Sequence, residues 1–111
     1  MESWNLKEIA VEPHQPQVLD SEAEGRAIVI QLPKGEQLQE HQVHERAWLL
    51  VIDGVLGITT PSGEDAEGGT GLLTIFDPAE RHEVTALEDS RLLMLLSPWP
   101  GEGHPSNREG S

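Results

Sequence analysis

The sequence contains no cysteine, which excludes disulfides and thiolate metal sites and is typical of proteins in a reducing compartment. It has no uninterrupted apolar run long enough to span a bilayer. It also opens with no basic, apolar signal peptide. We therefore expect a cytoplasmic protein with no membrane partner.

Basic residues are scarce as well, with 7 Lys and Arg against 20 Asp and Glu and a formal net charge of −13. DNA and RNA binding relies on clustered cations that displace counterions from phosphates. The charge therefore predicts no nucleic-acid partner, and we interpret the acidity as a means of solubility. The sequence also lacks a nucleophile elbow, a phosphate-binding glycine loop and a helical His-Glu metal motif.

The sequence does contain short apolar runs, separated by Gly and Pro, with no long helical pattern between them. Its 111 residues suffice for one domain with one core. Short runs rich in Val, Ile, Leu and Thr and bounded by turn residues predict strands. The predicted strands are about Arg26–Leu32, Ala47–Ile52, Val55–Thr60, Gly71–Phe76, His82–Leu87 and Arg91–Ser97. Strands at this spacing indicate an all-β barrel or sandwich.

The connections between these strands carry turn signals. Asp53-Gly54 lies between two apolar runs and predicts a tight hairpin. Glu88-Asp89-Ser90 is predicted to close a last hairpin, and residues 61–69 are predicted to form an acidic loop.

The two ends of the chain have weaker patterns. Residues 1–25 are predicted to form an N-terminal segment with short strands near Leu6–Val11 and Gln17–Leu19. Residues 98–111 are rich in Pro, Gly and polar residues, and they predict a flexible C-terminal tail.

Some predicted strands are apolar on both faces, which is more than one barrel core requires. The runs Trp48–Ile52 and Leu92–Leu96 are apolar at both parities. Successive side chains of a strand point to opposite faces, so one set of each run points away from the core and must be covered. A second layer of the same chain or a partner subunit could cover it, and a short chain favours the partner. We predict a homodimer with Trp48 in its interface.

Two motifs resemble those of the cupin superfamily of small β-barrels. Gly35, His41 and Gly54 stand at the spacing of the first cupin motif, and Gly71 and His82 stand at the spacing of the second. The resemblance implies an all-β fold, namely the double-stranded β-helix or cupin jelly-roll barrel, in a single domain.

The similar segments cover about residues 26–97, which are the predicted barrel. The sequence departs from the cupin motifs at several ligand positions. The second histidine of the family falls at Val43 and the glutamate at Ala47. Of the residues that hold the metal in metal-binding cupins, only His41 and His82 stand at matching positions.

A metal site would need a third ligand beside His41 and His82, because two imidazoles alone rarely fix a metal tightly. His44 is the nearest candidate, but residues three apart on a regular strand face opposite sides, so a bulge would have to bring it into the cavity. Gln37 and Glu40 are oxygen-bearing alternatives. The expected cofactor is a divalent transition metal such as Zn, Fe, Mn or Ni. In the other interpretation no metal is held, and the histidines are hydrogen-bonding groups in an apolar barrel mouth.

Two functions follow from the resemblance, and the sequence does not decide between them. The first is a small cupin-barrel protein that binds a small-molecule ligand, with or without a divalent metal, in the barrel mouth. The second is a metal-dependent enzyme of the dioxygenase or isomerase type with a histidine-ligated metal. Fold does not determine function, so the substrate is left open.

Overall fold

The computed structural model describes residues 1–38, 45–78 and 80–97. Within them the chain forms nine β-strands. Their bounds are β1 Gln17–Glu22, β2 Gly25–Leu32, β3 Gln37–Leu38, β4 Arg46–Asp53, β5 Leu56–Thr59, β6 Asp65–Gly68, β7 Leu73–Phe76, β8 Glu83–Ala86 and β9 Ser90–Ser97. Among the residues described, no helix is long and apolar enough to cross a bilayer.

The strands build two antiparallel sheets with the core between them. The five-stranded sheet has the order β1-β2-β9-β4-β7, and the four-stranded sheet has the order β3-β8-β5-β6. Alternate residues of the strands other than β1 meet in one core cluster, as the two-residue period of a strand requires. From β4 this cluster takes Ala47, Leu49 and Val51. The all-β, single-domain jelly-roll barrel predicted from the sequence is confirmed.

The Asp53-Gly54 turn is a corner between the two sheets, so the hairpin prediction is wrong. β4 pairs with β7 and β9, whereas β5, which follows the turn, pairs with β6 and β8. The Asp-Gly sequence indicates a turn in which the glycine has a positive φ, and the φ of Gly54 is 98°. The same signal serves a hairpin and a sheet-to-sheet corner, because the partner of each strand is decided by the core.

The Glu88–Ser90 turn is also a corner, because β8 and β9 belong to different sheets, and the second hairpin prediction is therefore wrong too. The two corners are bonded to each other through the buried Ser90 hydroxyl. This hydroxyl accepts a hydrogen bond from the Val55 N–H at 3.1 Å and donates one to the Glu88 carbonyl at 2.7 Å. These contacts tie the sheets together at one end of the barrel.

Two further predictions differ from the structure. The predicted acidic loop over residues 61–69 contains β6, which pairs with β5 through backbone bonds although its sequence Asp-Ala-Glu-Gly has little strand propensity. Residues Leu6–Val11 form turns instead of a strand. They are held by Arg91, whose Nη1 donates hydrogen bonds to the carbonyls of Leu6 at 3.1 Å and Ile9 at 2.7 Å.

Candidate functional site

His82 immediately precedes β8 and lies on the inward side of the barrel. It shares the parity of Val84 and Ala86, which are both buried in the core, while its neighbours Arg81 and Glu83 are exposed. Its half-buried ring stacks on the buried ring of Phe76, with the ring centroids 3.7 Å apart and an interplanar angle of 11°. The chain that leads into β8 thus places this imidazole against the core.

The hydrogen bond of the His82 ring fixes which nitrogen is available. Nδ1 lies 3.2 Å from the Glu80 carbonyl oxygen. A carbonyl can only accept, so Nδ1 carries the hydrogen of this bond, and in the neutral ring Nε2 keeps the lone pair. Histidines that bind a metal commonly have their other ring N–H oriented in this way by a backbone carbonyl. Stacking and this bond together hold the ring in one orientation.

A row of cross-strand neighbours in the five-stranded sheet leads from Phe76 to the half-buried Arg26. Ala47 pairs with Phe76, Leu96 pairs with Ala47, and Arg26 pairs with Leu96. Arg26 therefore occupies the inward parity of its strand, and its Nε is buried. The row marks the end of the barrel where His82 lies, and we call this end the barrel mouth.

Glu45 adds a carboxylate to the barrel mouth. It is only 1% exposed, and it precedes β4 with the same parity as the inward residues Ala47 and Leu49. Arg46 next to it is exposed and forms an ion pair with Asp77 on the outside of the barrel. Glu45 was not selected from the sequence as a site residue. Its parity with the inward apolar run is the sequence signal that could have identified it.

Of the sequence-predicted metal ligands, the structure describes His82, whereas His41 and His44 lie outside the described residues. Among residues 1–38, 45–78 and 80–97 there is no group of three or more His, Cys, Asp or Glu side chains that could hold a metal. Gln37, an alternative ligand, is exposed on β3 and donates a hydrogen bond to the Thr85 hydroxyl at 3.1 Å.

The donor types in the barrel mouth suit a divalent transition metal. An imidazole whose Nε2 is left open by the Nδ1 hydrogen bond and a buried carboxylate are ligands that Zn, Fe, Mn and Ni accept. The described part of the mouth supplies His82 and Glu45, so a complete site would need a ligand from outside it, and His41 is the residue that the first motif provides.

No protein-family model matches this sequence, and a search of curated proteins also found no match. Solved structures do match. An RmlC-like cupin protein from Desulfovibrio desulfuricans has a TM-score of 0.77 at 18% identity, over 88% of this chain and 97% of that chain. Protein NMB1881 from Neisseria meningitidis has a TM-score of 0.74 at 16% identity, over 86% of this chain and 99% of that chain. The cupin domain of Cnp3 from Schizosaccharomyces pombe has a TM-score of 0.76 at 13% identity, over 86% and 68%. At these identities the similarity is one of fold, and it confirms the fold that the motif resemblance implied.

Proposed function

We propose that this chain, a small protein with the cupin fold, binds a small carboxylate-bearing molecule together with a divalent transition metal in the barrel mouth. The observation that carries the proposal is the set of ionisable side chains on the inward face at one end of an apolar barrel. These side chains are Arg26, Glu45 and His82.

Such a set is costly for a structure of this size. Burying a charged group costs several kcal/mol unless it is paired and hydrogen-bonded, and replacing buried ion pairs by apolar residues is often neutral or stabilising by about 1–4 kcal/mol. A domain of this length has a total stability of only about 5–15 kcal/mol. Of the three groups Glu45 is buried and Arg26 and His82 are half-buried. Ligand binding is a better reason for such groups on the inward face than stability is.

The chemistry of the groups suggests the class of ligand. The guanidinium of Arg26 is a planar donor that matches a carboxylate with two parallel hydrogen bonds. The imidazole of His82 and the carboxylate of Glu45 are candidate metal ligands, with His41 from the first motif and His44 as further candidates. A bound metal would supply a Lewis acid that polarises an oxygen of the ligand.

Metal titration of the untagged full-length protein tests the metal part. Isothermal calorimetry with Zn²⁺ and Ni²⁺ is expected to give a single site, and His82→Ala is expected to weaken it by about 100-fold through the loss of one imidazole ligand. His41→Ala is expected to do the same. The matched control is His14→Ala, because His14 is exposed and bonded to Glu36 away from the mouth. Equal affinity of the wild type and His82→Ala would contradict the proposal.

Titration with succinate, and with succinamide as its neutral isostere, tests the organic ligand. Succinate is expected to bind and succinamide is not, and Arg26→Met is expected to remove the difference. The exposed Arg46→Met is the matched control, since Arg46 lies outside the barrel. Binding of both compounds alike, or binding that survives in Arg26→Met, would contradict a role for the guanidinium.

A further inference from the structure

A groove crosses the outer face of the five-stranded sheet, on the side of the sheet that is turned away from the core. Its volume is about 560 Å³, and residues of all five strands line it, in the order β1, β2, β9, β4 and β7. Neighbouring strands lie about 4.8 Å apart, so the groove is about 19 Å long from the first strand to the last. Sites for small molecules have volumes of roughly 300–1,000 Å³, and this groove is within that range.

The floor of the groove is apolar. Trp48 and Leu50 of β4 line it, and they pair with Leu95 and Leu93 of β9 on the same face. Leu73 continues the floor at the β7 end, where its side chain is 54% exposed. Exposed apolar surface of this kind on a single chain commonly marks a binding site.

Small residues on β2 make the groove deeper beside β1. Ala27 pairs with Leu95 on one side and with Asp20 on the other. Gly25 pairs with Glu22. Because Gly25 and Ala27 have almost no side chain, a depression lies between the carboxylates of β1 and the leucine of β9.

The charge of the groove is confined to this end and is mainly negative. Asp20, Glu22 and Glu24 line the groove and are all exposed, and we call them the groove carboxylates. Among the described residues that line the groove, Arg26 is the only base. It has the inward parity of β2, and its Nε is buried. The groove therefore combines an acidic end with a long apolar floor.

We propose that the groove is a second ligand site, separate from the barrel mouth, and that it binds an amphiphilic organic cation. The ammonium head of such a molecule lies among the groove carboxylates, and its apolar chain lies over Leu95 and Trp48 towards Leu73. The head complements the charge at the β1 end, and the chain removes the apolar floor from water. An uncharged molecule gains only the second of these contributions.

The homodimer predicted from the sequence would occupy the same face and is the competing occupant. The two occupants differ in charge. A second copy brings another set of groove carboxylates and a net charge of −13, whereas an organic cation brings the opposite charge to the acidic end. Charge complementarity therefore favours the cation as the occupant of the groove.

Calorimetric titration of the untagged full-length protein with decyltrimethylammonium, below its micelle concentration, tests this site. The comparison ligand is decyldimethylamine oxide at pH 8, which has the same chain and nearly the same head without net charge. The cation is expected to bind once per chain and about 10-fold more tightly than the amine oxide, and added salt should reduce the difference. Ala27→Leu fills the depression without a change of charge, so it is expected to weaken both ligands about 10-fold.

Removal of the groove carboxylates tests the charged end. The triple variant Asp20→Asn, Glu22→Gln and Glu24→Gln is expected to lower the affinity for the cation about 10-fold and to leave the affinity for the amine oxide unchanged. Because these side chains are exposed, the fold should survive, and circular dichroism verifies that it does.

A second triple variant is the matched control, because it removes the same amount of charge from exposed residues at and beside β6, in the other sheet. Its substitutions are Glu64→Gln, Asp65→Asn and Glu67→Gln. It should bind the cation like the wild type, and so should His82→Ala, whose imidazole belongs to the barrel mouth.

Three results would overturn the proposal. Equal weakening by the two triple variants would mean that the cation is attracted only by the overall negative charge. Equal affinity for the cation and the amine oxide would remove the role of the groove carboxylates. A wild type that sediments as a dimer and binds no cation would assign the groove to a second copy of the chain.

Discussion

Replacing Gly54 with alanine tests how the two sheets are joined at the end of the barrel opposite the mouth. Gly54 has a φ of +98°, a conformation that side chains with a Cβ rarely adopt. A Cβ placed there would lie 2.4 Å from the Asp89 carbonyl oxygen and 2.6 Å from Ser90 Cα. Both of these are backbone atoms, so the corner between β8 and β9 would have to move.

The chain offers a control that separates the two effects. Gly71 has a φ of +97°, and a Cβ built on it meets nothing within 4 Å. Gly71→Ala should therefore cost only the conformational penalty of about 1–2 kcal/mol. Gly54→Ala adds the displacement of a packed corner, which typically costs a further 1–3 kcal/mol or more, so the total is about 3–5 kcal/mol.

Urea unfolding followed by tryptophan fluorescence measures both losses in free energy of unfolding. For a domain of this length, each kcal/mol of lost stability lowers Tm by about 4–6 °C. Gly54→Ala is therefore expected to lower Tm by more than about 10 °C. The affinity of the folded fraction for metal should not change, since the corner lies at the far end from His82. A Gly54→Ala variant as stable as Gly71→Ala would refute the close approach of the two corners.

Two further substitutions test contacts near the mouth and at the N-terminal segment. Phe76→Leu is expected to lower the free energy of unfolding by about 1–2 kcal/mol. It also removes the ring that stacks on His82, so Zn²⁺ binding is expected to weaken. A loss of stability with an unchanged Zn²⁺ affinity would argue against orientation of His82 by stacking. Arg91→Met removes the hydrogen bonds to the Leu6 and Ile9 carbonyls, so trypsin should cleave after Lys7 faster than in the wild type. The control Arg46→Met loses only an exposed ion pair and should leave the cleavage rate unchanged.

The strands were predictable because their signals are local. All the predicted runs from Arg26–Leu32 to Arg91–Ser97 overlap observed strands, with ends that differ by at most two residues. The division of β4 into two faces also followed from its sequence, since Ala47, Leu49 and Val51 are buried in the core, and Trp48 and Leu50 lie on the outer face. Apolar alternation fixes such positions without knowledge of the partner strand.

Pairing between strands was not predictable in the same way. The Asp53-Gly54 turn has the sequence of a hairpin turn. However, β4 and β5 each bury apolar side chains of their own, so the two strands can belong to different sheets. The barrel closes because strands pair with partners that are distant in the sequence. β4, for example, pairs with β9. Likewise β6 has a polar sequence, and it is a strand only because β5 provides backbone partners for it.

The ionisable residues of the barrel mouth follow from the two-residue period of the strands. The resemblance directed attention to the glutamate position of the family, where this chain has Ala47, and so indicated that a carboxylate had been lost. Counting back by the strand period from Ala47 gives Glu45, whose carboxylate is buried on the same inward side. The same period counted back from Ile28 on β2 gives Arg26. A polar residue that keeps the inward parity of an apolar run is therefore informative even where the family motif is not matched, because its burial costs free energy that the fold alone does not require.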